Sequence, residues 1–387
     1  MEQTPAPPLP PAPIEPVEEF TDADFIEPQT PIVHWLSTGC TILDLAIADR
    51  LPGGFPGGRI SQIYGDEATA KTAILAELLG DAQRKKGMAV LDDVEQAWDE
   101  YRARLFGVDT SNKKTWWHTA SANIEQMFDK TIPTAIKKYE EAKLEGPLVL
   151  GEDSLSALSS GTEQKEEIGK SSYGTSRAKV LSQGFRKYIS TLLGPSGITL
   201  IFIDQTRDNV GVTFGEQTTV SGGRALKFYA SVRLKLSYIE RILNTNGMAI
   251  GVKLGFLVKK NKVGVPFREG EFRLLFDYGI DNTATSLEWL ADHDPVLLAE
   301  IAKKEAEAKK LAATQGKRTL VEDEDVSEKK KRQKRRIWAW KDLKGSGLYD
   351  LVAKVEVAGR EKELSEYVEQ VWHVVHAPPE RKEKVRL

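Results

Sequence analysis

Only one cysteine, Cys40, occurs in 387 residues, so an intrachain disulfide is excluded and a cysteine-based zinc site lacks ligands. Such a chain suits a reducing, cytoplasmic setting. No uncharged stretch reaches the ~18 apolar residues of a membrane span, so no spanning helix is expected. The first residues lack the basic-then-apolar order of a secretory leader, and none is expected. Five histidines, His34, His118, His293, His373 and His376, show no metal-ligand spacing with acids or cysteine. Positive charge is not in excess either, with 54 Lys+Arg against 57 Asp+Glu and a net charge of −3. Contact with nucleic acid must then come from local placement of charge. Residues 1–30 hold no Lys or Arg, only eight prolines and seven acids among their neutral residues. Proline removes donors and fixes φ, while like charges repel. An extended disordered tail is expected, either a solubilising leader or a proline-rich ligand for a partner.

What is present is enough for a sizeable core: 40% of residues are apolar and 29% charged. The length suggests two to three domains. From residue 31 onward short apolar runs alternate with helical patterns. Strands are expected at 59–64, 88–91, 148–150 and 198–203, with helices at 71–86, 97–106, 123–142 and 179–193. This alternation predicts an α/β fold, a mostly parallel twisted sheet flanked by helices. After Gly223 strands at 231–239, 249–260 and 271–276 follow one another without helices, an antiparallel extension. A charged helix is expected at 294–313, then a linker at 316–336 that ends in the basic run 329–336. That run suits duplex DNA, an import signal or a solvated linker. The aromatic payload of 337–387, including Trp338, Trp340 and Trp372, predicts a small C-terminal α/β cap. The expected divisions are the tail 1–30, a segment 31–57, a core 58–280, the helix and linker 281–336, and the cap 337–387.

Between a strand and a helix stands Gly65-Asp66-Glu67-Ala68-Thr69-Ala70-Lys71-Thr72. Successive N–H groups at a helix N-terminus cradle phosphate oxygens, and the helix dipole favours anions. Lys71 would neutralise the β- and γ-phosphates of ATP, and the Thr72 hydroxyl would ligate Mg²⁺. Ala70 stands where the phosphate-loop pattern has its second glycine. If the backbone there is left-handed, its Cβ costs about 1 kcal/mol. Other strand ends add to this site. Asp153 ends an apolar strand, at the edge where open parallel sheets bind ligands, and could hold the water shell of Mg²⁺. Asp92, Asp93 and Glu95 follow a second strand, where a carboxylate could activate water. Gln205 follows a third, within reach of a γ-phosphate. Four strand ends with phosphate chemistry point to a nucleotide site.

These residues resemble the RecA family of ATP-dependent homologous recombinases, in a divergent bacteriophage-like form. The similarity runs from about residue 37 to 280. It is carried by Ser37-Thr38-Gly39, Gly58-Arg59-Ile60, Asp93-Val94-Glu95-Gln96-Ala97, Asp153-Ser154-Leu155-Ser156-Ala157-Leu158 and Phe202-Ile203-Asp204-Gln205-Thr206-Arg207. Gly222-Gly223-Arg224-Ala225-Leu226-Lys227-Phe228-Tyr229 and Val258-Lys259-Lys260-Asn261-Lys262 complete it. The resemblance implies Glu95 as the water-activating residue and Gln205 as the γ-phosphate sensor. Asp153 becomes the second metal-site acid. Lys260 and Lys262 would reach the nucleotide of the neighbouring subunit in a homo-oligomeric helical filament, with 31–57 as an oligomerisation segment. Asp99 aligns with the adenine contact, while Arg102 stands at the family's stacking-tyrosine position, with Tyr101 beside it. Two segments would meet DNA. The first, 159–173, ends in Tyr173, with Gly174 just beyond; the second, 206–222, holds Arg207, Gly211, Phe214, Gly215 and Gly222, with Gly223 and Arg224 just beyond.

The second segment has little periodicity inside a compact domain, which by itself suggests function. An arginine for phosphate and an aromatic for stacking suit single strands. Three functions compete. The first is a DNA-dependent ATPase that polymerises on single-stranded DNA and pairs it with a homologous duplex. The second is a filament-forming paralogue or mediator with little hydrolysis, favoured by Ala70. The third is a hexameric helicase or motor on the same core. A single-stranded-DNA-binding or mediator protein is an additional possible partner.

Overall fold

The computed structural model describes residues 32–165, 173–192, 197–208, 218–220, 223–299, 303 and 338–377, by backbone alone at 173–175, 188–192, 207–208, 218–219 and 223–224. The chain enters through β1 (Trp35–Leu36), α1 (Thr41–Ala48) and β2 (Phe55–Pro56). Alternation then takes over with β3 (Ile60–Gly65), α2 (Lys71–Arg84), β4 (Met88–Asp93), α3 (Glu100–Leu105) and β5 (Trp116–Thr119). A helical stretch in three pieces follows: α4 (Ile124–Gln126), a π-helical turn at Met127–Thr131, and α5 (Ile132–Ala142). Next come β6 (Leu148–Asp153), α6 (Gly161–Lys165), α7 (Tyr173–Leu192), β7 (Thr199–Asp208), β8 (Thr218–Val220) and α8 (Gly223–Tyr229). The meander is β9 (Val232–Leu243), β10 (Ala249–Asn261), β11 (Glu269–Leu275) and β12 (Gly279–Ile280), closed by α9 (Asn282–His293). The cap holds β13 (Ala339–Trp340), β14 (Leu343–Lys344), α10 (Leu348–Val357) and α11 (Glu361–Val375).

The large sheet runs β12-β11-β10-β9-β3-β7-β6-β4-β5, with β8 paired to β7 off this path. From β9 through β5 neighbouring strands are parallel, and from β9 to β12 they are antiparallel. The parallel strands read as apolar runs because both faces are covered. Leu200 and Phe202 enter one core, while Ile201 and Ile203 enter the other. On one face lie α1, α2, α9 and the cap; on the other lie α4, α5, α7 and α8. Cys40 is fully buried as a small apolar side chain, and burial pushes its thiol up to about 12.

Several expected elements shift for identifiable reasons. The helix expected over 123–142 is interrupted by the π turn, because Pro133 has no N–H for the Asp129 carbonyl to accept. The helix expected at 97–106 starts only at Glu100, where the Asp99 side chain accepts the N–H groups of Tyr101 and Arg102. Helix α9 is an addition, beginning where Asp281 accepts the Ala284 N–H at 3.0 Å. It packs on β11 and α1, and the cap closes over it, with Trp372 fully buried and donating to Asp49 at 3.1 Å. Tyr367 donates to Asp294 at 2.7 Å across the same seam. The linker 316–336 and most of the helix expected at 294–313 lie outside the described residues. Among the described residues no helix is long and apolar enough to cross a membrane.

Candidate functional site

Strand register brings the polar strand ends together. Asp93 pairs with Asp153 across β4 and β6, and Gly65 pairs with Gln205 across β3 and β7. At Gly65 a Cβ would stand 2.3 Å from the Leu236 carbonyl of β9, so only glycine lets the chain leave the sheet here. The loop beyond it turns through two left-handed alanines, Ala68 at φ 57° and Ala70 at φ 61°. The conformation that makes a Cβ awkward is therefore the one Ala70 adopts. Helix α2 starts at Lys71 with no side-chain cap, leaving its first-turn N–H groups facing the loop. Its seat is close, because a Cβ at Gly151 would stand 2.4 Å from Leu75. Lys71 is buried and donates to the Asp66 carbonyl at 2.6 Å. Burial draws its ammonium below the usual lysine range, against the opposing pull of Asp153, Glu95, Asp66 and Asp204. Thr69 donates to the same carbonyl at 2.8 Å. Glu67 is exposed.

Thr72 donates to the Asp153 carboxylate at 2.6 Å. Burial, then the charges of Glu95 and Asp93, push Asp153 up to about 6, while the Thr72 bond and Lys71 pull it back. A hydroxyl and a carboxylate in contact, short of positive charge, match the oxygen donors of a hard divalent cation such as Mg²⁺. Among the described residues no group of three His, Cys, Asp or Glu could hold a metal, so phosphate oxygens and water would have to complete the shell. Glu95 is fixed from several sides. Its N–H and that of Val94 donate to the Asp153 carbonyl at 3.3 and 3.0 Å. Its carboxylate accepts the Ser154 hydroxyl, and the Gln205 amide at 3.4 Å.

Sequence reasoning missed the role of Ser154, and it offered Asp93 only as one of three carboxylates that could activate water. Ser154 was visible only as part of a motif, although its hydroxyl orients Glu95 and also meets Ser156 at 2.7 Å. Asp93 accepts the N–H groups of Ala97 and Trp98, both at 3.1 Å, and lies 3.3 Å from the His118 ring nitrogen. It holds the turn that carries Glu95. An acid four and five residues before two turn N–H groups was the available signal.

Other expected residues stand further from this cluster. The Asp99 carboxylate caps α3, and Tyr101 and Arg102 on its first turn are exposed. Lys260 lies at the far end of β10, where its ammonium donates to the carbonyls of Lys227 and Phe228 at 2.6 and 2.9 Å, and Lys262 reaches Phe228 at 3.3 Å. Burial, then Lys262 and Arg233, lower Lys260 to about 8. Tyr173 and Gly174 open α7, so the helix begins earlier than 179. Arg207 lies in β7, whose last residues pair antiparallel with β8: Thr206 with Val220, Arg207 with Thr219, Asp208 with Thr218. The segment 206–222, expected without periodicity, thus has a paired stem. Gly223 and Arg224 open α8, while Gly211, Phe214, Gly215 and Gly222 lie outside the described residues.

A profile of the RecA N-terminal domain matches residues 25–281. The chain is 35% identical over 263 residues to a protein named RecA from Corynebacterium aurimucosum, covering 68% of this chain and 66% of that protein. It is 36% identical over 265 residues to the RecA of Prochlorococcus marinus, with the same two coverages. The RecA of Parasynechococcus marenigrum is 35% identical over 266 residues, 69% of this chain and 66% of its own. The match thus takes in just under two thirds of the length of these relatives. The profile match and these identities, together with the mostly parallel sheet, establish that the chain belongs to the RecA family.

Proposed function

We propose that this protein is a Mg²⁺-dependent, DNA-dependent ATPase that forms a helical filament on single-stranded DNA and exchanges it with a homologous duplex. The observation that carries this is the convergence of Lys71, Thr72–Asp153, Glu95 and Gln205 at one edge of the parallel strands. Residues 65–72 cradle the phosphates, with Lys71 moving from the Asp66 carbonyl to a phosphate oxygen. Thr72 and Asp153 hold Mg²⁺, which when bound offsets phosphate charge. Glu95, oriented by Ser154, takes the proton of the attacking water. Gln205 bonds either Glu95 or a γ-phosphate oxygen, so nucleotide state is felt at the start of the 206–222 segment. Asp99, Tyr101 and Arg102 form the base side of the pocket. Lys260 and Lys262 reach the nucleotide of an adjoining copy, where release from the Lys227 and Phe228 carbonyls frees their charge for phosphate.

DNA is met by the segments ending in Tyr173 and Gly174 and by 206–222, with Arg207 and Arg224 on phosphates and Phe214 stacking on bases. Cytoplasmic work, in a bacterial or phage-infected cell, accords with this chemistry. The left-handed Ala70 supports a second reading, a filament protein with weak hydrolysis. Phosphate release measured with and without single-stranded DNA separates the two. We expect DNA to raise turnover at least tenfold; no stimulation would sink the first reading.

A further inference from the structure

Asp66 is the residue after Gly65, and both of its oxygen-bearing groups are committed. Its carbonyl accepts the Lys71 ammonium at 2.6 Å and the Thr69 hydroxyl at 2.8 Å. Its carboxylate accepts the hydroxyl of Thr206. Thr206 directly follows Gln205 and is the first paired residue of the β7–β8 stem, opposite the buried Val220. One loop residue therefore touches both the lysine that would meet phosphate and the root of the segment assigned to DNA.

Phosphate binding alone gives no reason for an acid here. A carboxylate at the mouth of an anion site repels the incoming charge and weakens binding unless something draws it aside. A hydroxyl bonded to that carboxylate does so, and the hydroxyl belongs to the stem. We propose that the Asp66–Thr206 bond is a second tie between nucleotide and DNA-facing stem, in parallel with Gln205, and that Thr206 is its positioning residue. This rests on the reading of 65–72 as a phosphate site and of 206–222 as a DNA segment. As phosphates enter, Lys71 leaves the Asp66 carbonyl, and repulsion from the phosphates favours the Thr206 bond that the Asp66 carboxylate already makes over its open state. The stem is thereby held at one register, with Thr206 opposite Val220. The two ties read different things. Gln205 responds to a γ-phosphate, whereas Asp66 responds to any phosphate charge in the loop, diphosphate included. By linkage, DNA that steadies the stem raises nucleotide affinity by the same factor.

Hydrogen exchange of the 206–208 and 218–220 amides tests this on the full chain, without nucleotide, with Mg·ADP and with a non-hydrolysable Mg·ATP analogue. In the unsubstituted protein both nucleotides slow exchange, ADP by roughly three- to tenfold, the net worth of one ordinary, solvent-exposed hydrogen bond. Thr206→Val removes the ADP protection and leaves the further increment that the triphosphate adds. Thr206→Ser restores it, which a merely structural role for a β-branched side chain does not predict. Equal ADP protection in the valine variant overturns the tie, as does its absence from the unsubstituted protein or a failure of serine to rescue. Oligo-dT affinity, measured on the same samples, judges the underlying reading separately. An unsubstituted protein that shows nucleotide-dependent exchange but never binds oligo-dT refutes the DNA assignment and leaves the tie standing.

Discussion

The parallel and antiparallel halves of the sheet both bury charge, but they treat it differently. In the antiparallel half Lys253 is buried and lies 2.7 Å from Glu271 and 3.1 Å from Glu288, while Arg273 holds Glu288 at 2.9 Å. That network pairs each cation with a carboxylate across β10, β11 and α9, and Arg273 extends it to the Tyr349 hydroxyl of the cap at 3.4 Å. At the edge of the parallel half, Asp153 is pushed up to about 6 and Lys71 is drawn down, with Glu95 and Asp93 adding negative charge beside them. This network is short of a cation and keeps its lysine on a backbone carbonyl. Closed ion pairs serve the scaffold; open ones are available to a ligand.

Substitution can break this contrast. The largest effect expected is that of Lys71→Ala, which should lower ATP turnover by about a thousandfold, as loss of one preorganised charge donor does. Phosphate release checks it, and circular dichroism should show an intact fold. A smaller change is expected of Lys253→Met. Breaking a buried pair costs several kcal/mol, and because Arg273 still holds Glu288 we expect about 2–3 kcal/mol of stability lost. Urea unfolding measures that loss, with nucleotide affinity staying within about twofold. A folded Lys253→Met protein unable to bind nucleotide would erase the distinction between the halves. The smallest change is Ala70→Gly, which relieves a left-handed Cβ and should raise stability by about 1 kcal/mol in urea unfolding, with nucleotide affinity by calorimetry nearly unchanged because free and bound loop share that strain. A large change in affinity would mean that the bound loop does not keep φ near 61° at this position.

Much of the fold was legible in the residues. Apolar runs such as Leu148-Val149-Leu150 and Ile198 to Ile203 feed two cores alternately, and each ends in the polar residues picked out as chemical. Asp153 and Gln205 were readable as candidates from their place at strand ends, whereas Lys71 and Thr72 were read from the phosphate-loop pattern at the start of α2 and Glu95 was singled out by the family resemblance. Helix α9 was less visible, because Asn282-Thr283-Ala284-Thr285-Ser286 is polar in composition although most of it is buried. Its signal was the cap at Asp281. The π turn needed Pro133 to be weighed against a strong amphipathic pattern.

What the chain alone determined was a strand–helix order, a loop of phosphate-binding pattern between β3 and α2, and the strand-end side chains that suit nucleotide chemistry. These depend on neighbours a few positions apart, and local sterics and periodicity report on such distances. Only the tertiary structure decided which groups meet: Ser154 with Glu95 across 59 positions, Thr206 with Asp66 across 140, Tyr367 with Asp294 across 73. A hydrogen bond forms only over about 3 Å. Its partner is chosen by strand register and helix seating, which sequence separation does not encode.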